Sequence, residues 1–207
     1  MLMAEPIQQS TLIDSNTKLN GQSTTYKNIF LYQSMSGDSS TTSICSNCSS
    51  GDAADGSATF TAKNSSITTN NGDTFYVTNT KAIINLENNF ITNNDSSGNF
   101  LRIQKDSWEN TGSNGGEVTF NMTNQTAIGN IVVDSISTLE MNLSKSYYEG
   151  TINGDNSAKE ISLKLSKDST IKLTGDSYIT SLEDEDTSYS NIDFNGYQLY
   201  VNRTSIN

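Results

Sequence analysis

A parallel β-solenoid, all-β with coils of about 20–24 residues, is the fold class that this sequence predicts, and three observations predict it. Apolar and polar residues alternate in short phrases such as "ISLKLSKDSTIKLTG" (161–175), the pattern of a half-buried strand. The phrase recurs. Ala58–Ala62, Ala82–Leu86, Val118–Met122, Leu139–Leu143 and Ile161–Leu165 each read apolar-polar-apolar-polar-apolar and then turn a polar corner. The composition suits corners: 26 Asn, 31 Ser and 25 Thr supply about two-fifths of the 207 residues, with one Pro and no long stretch of helical period.

The last apolar residues of the phrases, Ala62, Leu86, Met122, Leu143 and Leu165, are separated by 24, 36, 21 and 22 residues. Such a period is too short for a propeller blade and too long for one hairpin strand. It fits one coil, with the five residues stacked as a single interior column. Asn64, Asn88 and Asn124 occupy one corner position and Lys145 and Lys167 take it in the other phrases, so an asparagine ladder is expected there. The long step contains an insertion, 93–116, with a strand-like stretch Phe100–Ile103 and the only Trp; it is expected to leave the coil as a loop or to form a partial extra coil. In Tyr147–Tyr148, one ring should face the core and the other solvent.

The expected organisation is one domain over 19–202, preceded by a fragment edge or loosely packed segment at 1–18, closed by a cap near 191–202 and followed by a tail at 203–207. "MLMAEPIQQS" lacks the basic and apolar regions of a signal peptide, so export signal and anchor are expected to lie outside this chain. No apolar run is long enough to span a bilayer, and no membrane insertion by this segment is expected.

A net charge of -11 with 12 thinly spread Lys and Arg argues against nucleic-acid binding. The absence of His excludes Ser-His and metal-His catalytic arrangements. Cys45 and Cys48 form a CxxC without a second ligand pair, which reads as a surface loop with a local disulfide open to it after export. The acidic groups Glu183–Asp186 and Asp52 with Asp55 match no calcium-loop pattern and read first as solvated corners. No cofactor is therefore expected, with calcium the one metal the acidity admits.

The segments "LNGQSTTYKNIFLYQSMSGD", "NGDTFYVTNTKAIINLENNFITNNDSSGNFLRIQKDSW", "GSNGGEVTFNMTNQTAIGNIVVDSISTLEMNLS" and "LTGDSYITSLEDED" with "NIDFNGYQLYVN" resemble, over roughly residues 19–202, the C-terminal part of a family of secreted bacterial right-handed parallel β-helix proteins. That family is described as carbohydrate-binding or adhesin-like and is largely uncharacterised. The resemblance implies right-handed coils, a secreted or cell-surface location and a polysaccharide or host or cell-surface glycan as partner. A non-catalytic glycan-binding or adhesive module is thus the expected function, with a structural stalk or capping segment as the alternative.

A lyase-like enzyme, which would pair a calcium site with an Arg or Lys base, is not expected. The basic residues near acids (Arg102, Lys105 and Asp106; Lys164 and Lys172 beside Asp168) do not recur with carboxylates on successive coils. For sugar stacking the aromatic candidates are Trp108, Tyr147, Tyr148, Tyr178 and Tyr189. The expected ligand site joins Trp108 to Arg102 and Asp106, an aromatic face beside donors and acceptors.

Overall fold

The computed structural model of the chain describes residues 2–4, 9–13, 18–21, 23, 25–32, 57–106, 112 and 114–207. Cys45, Cys48, Asp52, Asp55 and Trp108 lie outside the described residues. Among those described there is no helix, and the strands follow one another in repeated circuits. The first circuit is β1 (Leu2–Ala4), β2 (Gln9–Ile13) and β3 (Lys18–Gly21), followed by β4 (Lys27–Tyr32), β5 (Ser57–Lys63) and β6 (Ser66–Thr69). Next come β7 (Asp73–Thr78), β8 (Thr80–Glu87) and β9 (Phe90–Asn93), then β10 (Leu101–Ile103), β11 (Gly116–Thr123) and β12 (Thr126–Ile128). The circuits continue with β13 (Ile131–Val133), β14 (Thr138–Ser144) and β15 (Tyr147–Gly150), then β16 (Glu160–Leu165) and β17 (Thr170–Leu173). Last are β18 (Ser177–Ile179), β19 (Ser181–Asp184), β20 (Ile192–Asp193), β21 (Leu199–Val201) and β22 (Thr204–Ser205).

Strands of successive circuits stack on one another and make three faces. The first face runs β1-β4-β7-β10-β13 and continues through a bridge between Ile131 and Ile152 toward β18 and β21. The second face is a seven-stranded sheet from β2 to β19, and the third consists of two ladders, β3-β6-β9 and β12-β15-β17-β20. All pairings are parallel except β21 with β22, where the chain folds back as a terminal hairpin. The fold is thus all-β, with parallel strands in stacked sheets, an arrangement consistent with a β-solenoid.

The register follows the repeated phrases. Ala62 pairs with Leu86, Leu86 with Met122, Met122 with Leu143 and Leu143 with Leu165, and all five are buried. Two columns run beside this one: Phe60, Ile84, Phe120, Met141 and Leu163, and Ala58, Ala82, Val118, Leu139 and Ile161. From β5 to β16 the strands of this face alternate buried and more exposed positions, as a period of two requires. Phenylalanines knit the faces together. Phe60, Phe75, Phe100 and Phe120 form a chain of tilted and edge-on contacts with centroids 5.4–5.8 Å apart. Tyr148 is wholly buried and donates from its hydroxyl to the carbonyls of Gly129 and Thr151, whereas Tyr147 faces out. Gly150 is required beside it, since a Cβ there would lie 2.3 Å from the Gly129 carbonyl oxygen.

Between the second and third faces the backbone turns sharply. Asn64, Asn88, Asn124 and Lys145 take left-handed conformations with φ of 46–54°. On the outside, the Asn88 amide donates to Asn64 Oδ1 (2.7 Å) and the Asn124 amide to Asn88 Oδ1 (3.5 Å), so the expected asparagine ladder forms. Lys167 does not extend it: it lies in a longer turn, 166–169, and its φ is not positive.

One residue further on is a second ladder, inside the molecule. The Ser65 N–H donates to Asn89 Oδ1 (3.0 Å), Asn89 N–H to Gln125 Oε1 (2.8 Å), Gln125 N–H to Ser146 Oγ (3.1 Å) and Ser146 N–H to Ser169 Oγ (3.2 Å). All five residues are buried. The one long side chain, Gln125, stands where the third face is interrupted between β9 and β12.

One expectation changes. The insertion does not leave the coil as a whole, because Leu101–Ile103 forms β10 and pairs on both sides with β7 and β13. Arg102 accordingly sits on a sheet and not in a loop. Residues 1–18, expected as a fragment edge or loosely packed segment, contain β1 and β2, which pair in register with β4 and β5.

Leu143, 3% exposed between Met122 and Leu165 in its column, provides the test. Leu143→Asp would bury an unpaired charge, and urea unfolding should show a loss of at least several kcal/mol or no cooperative fold. A variant as stable as the parent would refute this register.

Candidate functional site

On the outer side of the first face, Phe30 of β4, Tyr76 of β7, Arg102 of β10 and Val132 of β13 are consecutive register partners. Their neighbours complete a polar network. The Arg102 Nε donates to Asp73 Oδ2 (2.6 Å) and its Nη1 to Gln104 Oε1 (3.2 Å), while Asp73 Oδ1 accepts from the backbone and side-chain nitrogens of Asn99 (2.8 and 2.7 Å). Gln104 Nε2 donates to the Tyr76 hydroxyl (3.0 Å), which reaches Asp106 Oδ2 at 3.5 Å. Asp106 also pairs with the Lys27 ammonium, which lies 4.3 Å from the Tyr76 ring centroid and 5.0 Å from that of Phe30.

The network balances two cations, Lys27 and Arg102, against two carboxylates, Asp73 and Asp106. Its charged side chains are largely withdrawn from solvent, from 27% exposure for Arg102 to 10% for Asp73. Burial raises the Tyr76 hydroxyl to about 12; the Gln104 hydrogen bond opposes this, Asp106 reinforces it, Arg102 opposes it and Asp73 adds to it. Tyr76 therefore remains a neutral phenol at ordinary pH, a hydrogen-bonding group and not a base. Arg102 and Asp106, expected to act together, are joined in one network through Gln104 and Tyr76. Trp108, their expected partner, lies outside the described residues. Sequence reasoning missed Lys27, Asp73, Tyr76 and Gln104. The signal was the register of "KNIF", "DTFY" and "FLRIQ", visible only once those phrases are stacked.

The other candidates are dispersed. Lys164 lies on the second face between Glu140 (3.4 Å) and Glu183 (3.9 Å), Lys172 pairs with Glu149 (3.0 Å) on the third, and Asp168 occupies a turn. The Lys105 N–H donates to Asp134 Oδ2 (2.8 Å). Tyr178 stacks on Tyr200 with centroids 4.7 Å apart, and Tyr189 is half-buried against the core. A shallow groove of about 720 Å³ lies over the second face, lined by Lys81, Glu117, Glu140, Lys159 and Glu160, and does not include Arg102 or Asp106.

The acidic run Glu183–Asp186 shapes a turn. Asp184 Oδ1 accepts from the Asp186 N–H and the Asn191 amide, and Asp186 accepts from the hydroxyls and N–H groups of Ser188 and Ser190. These bonds, that of the Ser188 hydroxyl first, hold the Asp186 carboxyl down at about 2. Among the described residues no group of three or more acidic, His or Cys side chains is placed to hold a metal ion.

Comparison with protein-family models, curated proteins and solved structures gives no match for this chain.

Asp186 sets a pH test. Its carboxyl is depressed in the folded state relative to its ordinary 3.8, so the stability it contributes is present above pH 4 and is lost as pH falls toward 2. Thermal unfolding of the parent should decline more steeply over that interval than that of Asp186→Asn. Parallel curves would show that the turn does not hold the ionised carboxylate.

Proposed function

We propose that the chain is a right-handed parallel β-helix serving as a non-catalytic binding or adhesive module, secreted or displayed at the cell surface, that takes a glycan at Arg102, Asp106 and Trp108. The handedness rests on the strong preference of parallel strand-to-strand crossovers for the right-handed path. The glycan reading rests on one observation: residues from successive circuits converge on one outward face where guanidinium, carboxylate, amide and phenol lie within hydrogen-bonding distance of one another. Sugar hydroxyls, each donor and acceptor, suit such a mixed array, and Trp108 would add the ring for stacking. The resemblance to secreted β-helix proteins supports the same reading.

A stalk is the second reading, favoured by the buried ladder through Ser65, Asn89, Gln125, Ser146 and Ser169, which braces a rod without serving any ligand. A glycan array separates the two. Binding that weakens tenfold or more in a folded Trp108→Ala variant, and also in Arg102→Ala, is the expected result. An array without hits would leave the stalk. Unchanged affinity in both variants would remove this site.

A further inference from the structure

The third face carries a feature that the network on the first face does not use. Phe90 is 82% exposed and Ile128 58% exposed, on a sheet surface and not at a loop tip. Corner pairing aligns Asn89 with Gln125, which sets Phe90 beside Thr126; Thr126 in turn pairs with Tyr147, and Tyr147 with Thr170. Phe90 and Tyr147 therefore project outward from the same face two circuits apart, across the break between β9 and β12. The neighbouring column contains Ile128, Glu149 and Lys172. The Tyr147 ring is fixed in place, because its hydroxyl donates to Glu149 Oε2 (2.7 Å) while Lys172 holds the other carboxylate oxygen (3.0 Å).

We propose that the column Phe90–Thr126–Tyr147–Thr170, edged by Ile128 and Glu149, is a contact strip for an extended neutral polysaccharide lying along the stack of circuits. Two rings two circuits apart on one face offer stacking faces to separate sugars of an extended chain, and the threonine hydroxyls and Glu149 between and beside them meet sugar hydroxyls. A folded partner fits less well. Strands of two to four residues make the strip at most about 13 Å wide, and the five strands from β9 to β20, with the break between β9 and β12, make it on the order of 20 Å long. It thus offers about 250 Å² against the roughly 800 Å² per partner of a stable interface. A second copy would also bring another net charge of -11. A polyanionic glycan meets the same repulsion, and Lys172, the nearby cation, is already paired with Glu149.

This strip shares its ligand class with the reading above and uses none of its residues, so the two fail separately. The test titrates cellohexaose, xylohexaose and laminarihexaose, with polygalacturonate as the charged comparator, against the parent, Phe90→Ala, Tyr147→Ala and Arg102→Ala, with light scattering for mass. The expected result is binding of at least one neutral hexaose that strengthens with chain length, weakens about fivefold or more in Phe90→Ala and Tyr147→Ala, and is unchanged in Arg102→Ala. Phe90→Ala should melt like the parent, which makes it a clean probe. The strip is overturned if the folded parent binds no neutral hexaose, or if Phe90→Ala binds as the parent does. A dimeric parent that becomes monomeric in Phe90→Ala would also overturn it, assigning the face to a second copy. Binding of acidic glycans alone, lost in Arg102→Ala, would remove the strip and leave the first-face reading standing.

Discussion

A chain that turns from one sheet to another must find partners for the backbone groups at the corner, where the direction of the N–H no longer meets the neighbouring strand. A buried N–H left unpaired costs about 1–3 kcal/mol, and here the problem recurs from circuit to circuit between Ser65 and Ser146. The solution is repeated: a side chain of the following circuit reaches back and accepts. Asn89, Gln125, Ser146 and Ser169 do so in succession between the second and third faces. Ser137 does it for the Gly116 N–H, Ser177 for Ile152 and Thr180 for Ile161 at the other corners. Each circuit is therefore incomplete without the next one. The dependence gives the stack its direction, and the hairpin of β21 and β22 ends it at the C-terminal side.

The same constraint explains the composition. Short Ser, Asn and Thr side chains fit a corner one strand spacing from the donor, and Gln is used where the ladder of the third face is broken. Outward columns repeat the chemistry at lower cost: Asn85, Asn121 and Asn142 link through their amides on the second face, with Thr61 accepting at the end. A chain with modest hydrophobic content can then bury three apolar columns and a run of phenylalanines, because its polar residues satisfy one another across circuits.

This much was legible in the residues before the fold was known. The column from Ala62 to Leu165, the outer asparagines and the opposed rings of Tyr147 and Tyr148 all follow from alternation and period. The inner ladder was equally periodic, falling three residues after Ala62, Leu86, Met122 and Leu143. It was hidden because polarity at a corner reads as exposure, whereas Ser65, Asn89, Gln125 and Ser146 are buried. β10 was hard to place because three residues carry little pattern; only its pairing with β7 and β13 makes Arg102 a sheet residue. The network around Arg102 was half visible. Arg102 and Asp106 are near in sequence, but Lys27 and Asp73 come from earlier circuits, and no local rule joins them.

Because the inner ladder ties circuit to circuit, amide hydrogen exchange at its four donors tests the account most directly. The N–H groups of Ser65, Asn89, Gln125 and Ser146 sit at turns, where unassisted amides exchange quickly, yet each has a buried side-chain acceptor at 2.8–3.2 Å. Protection equal to that of the flanking strand amides is expected, with the four opening together in the cooperative unit that contains Leu86, Met122 and Leu143. Exchange at the rate of exposed loops, with the strands still protected, would contradict it.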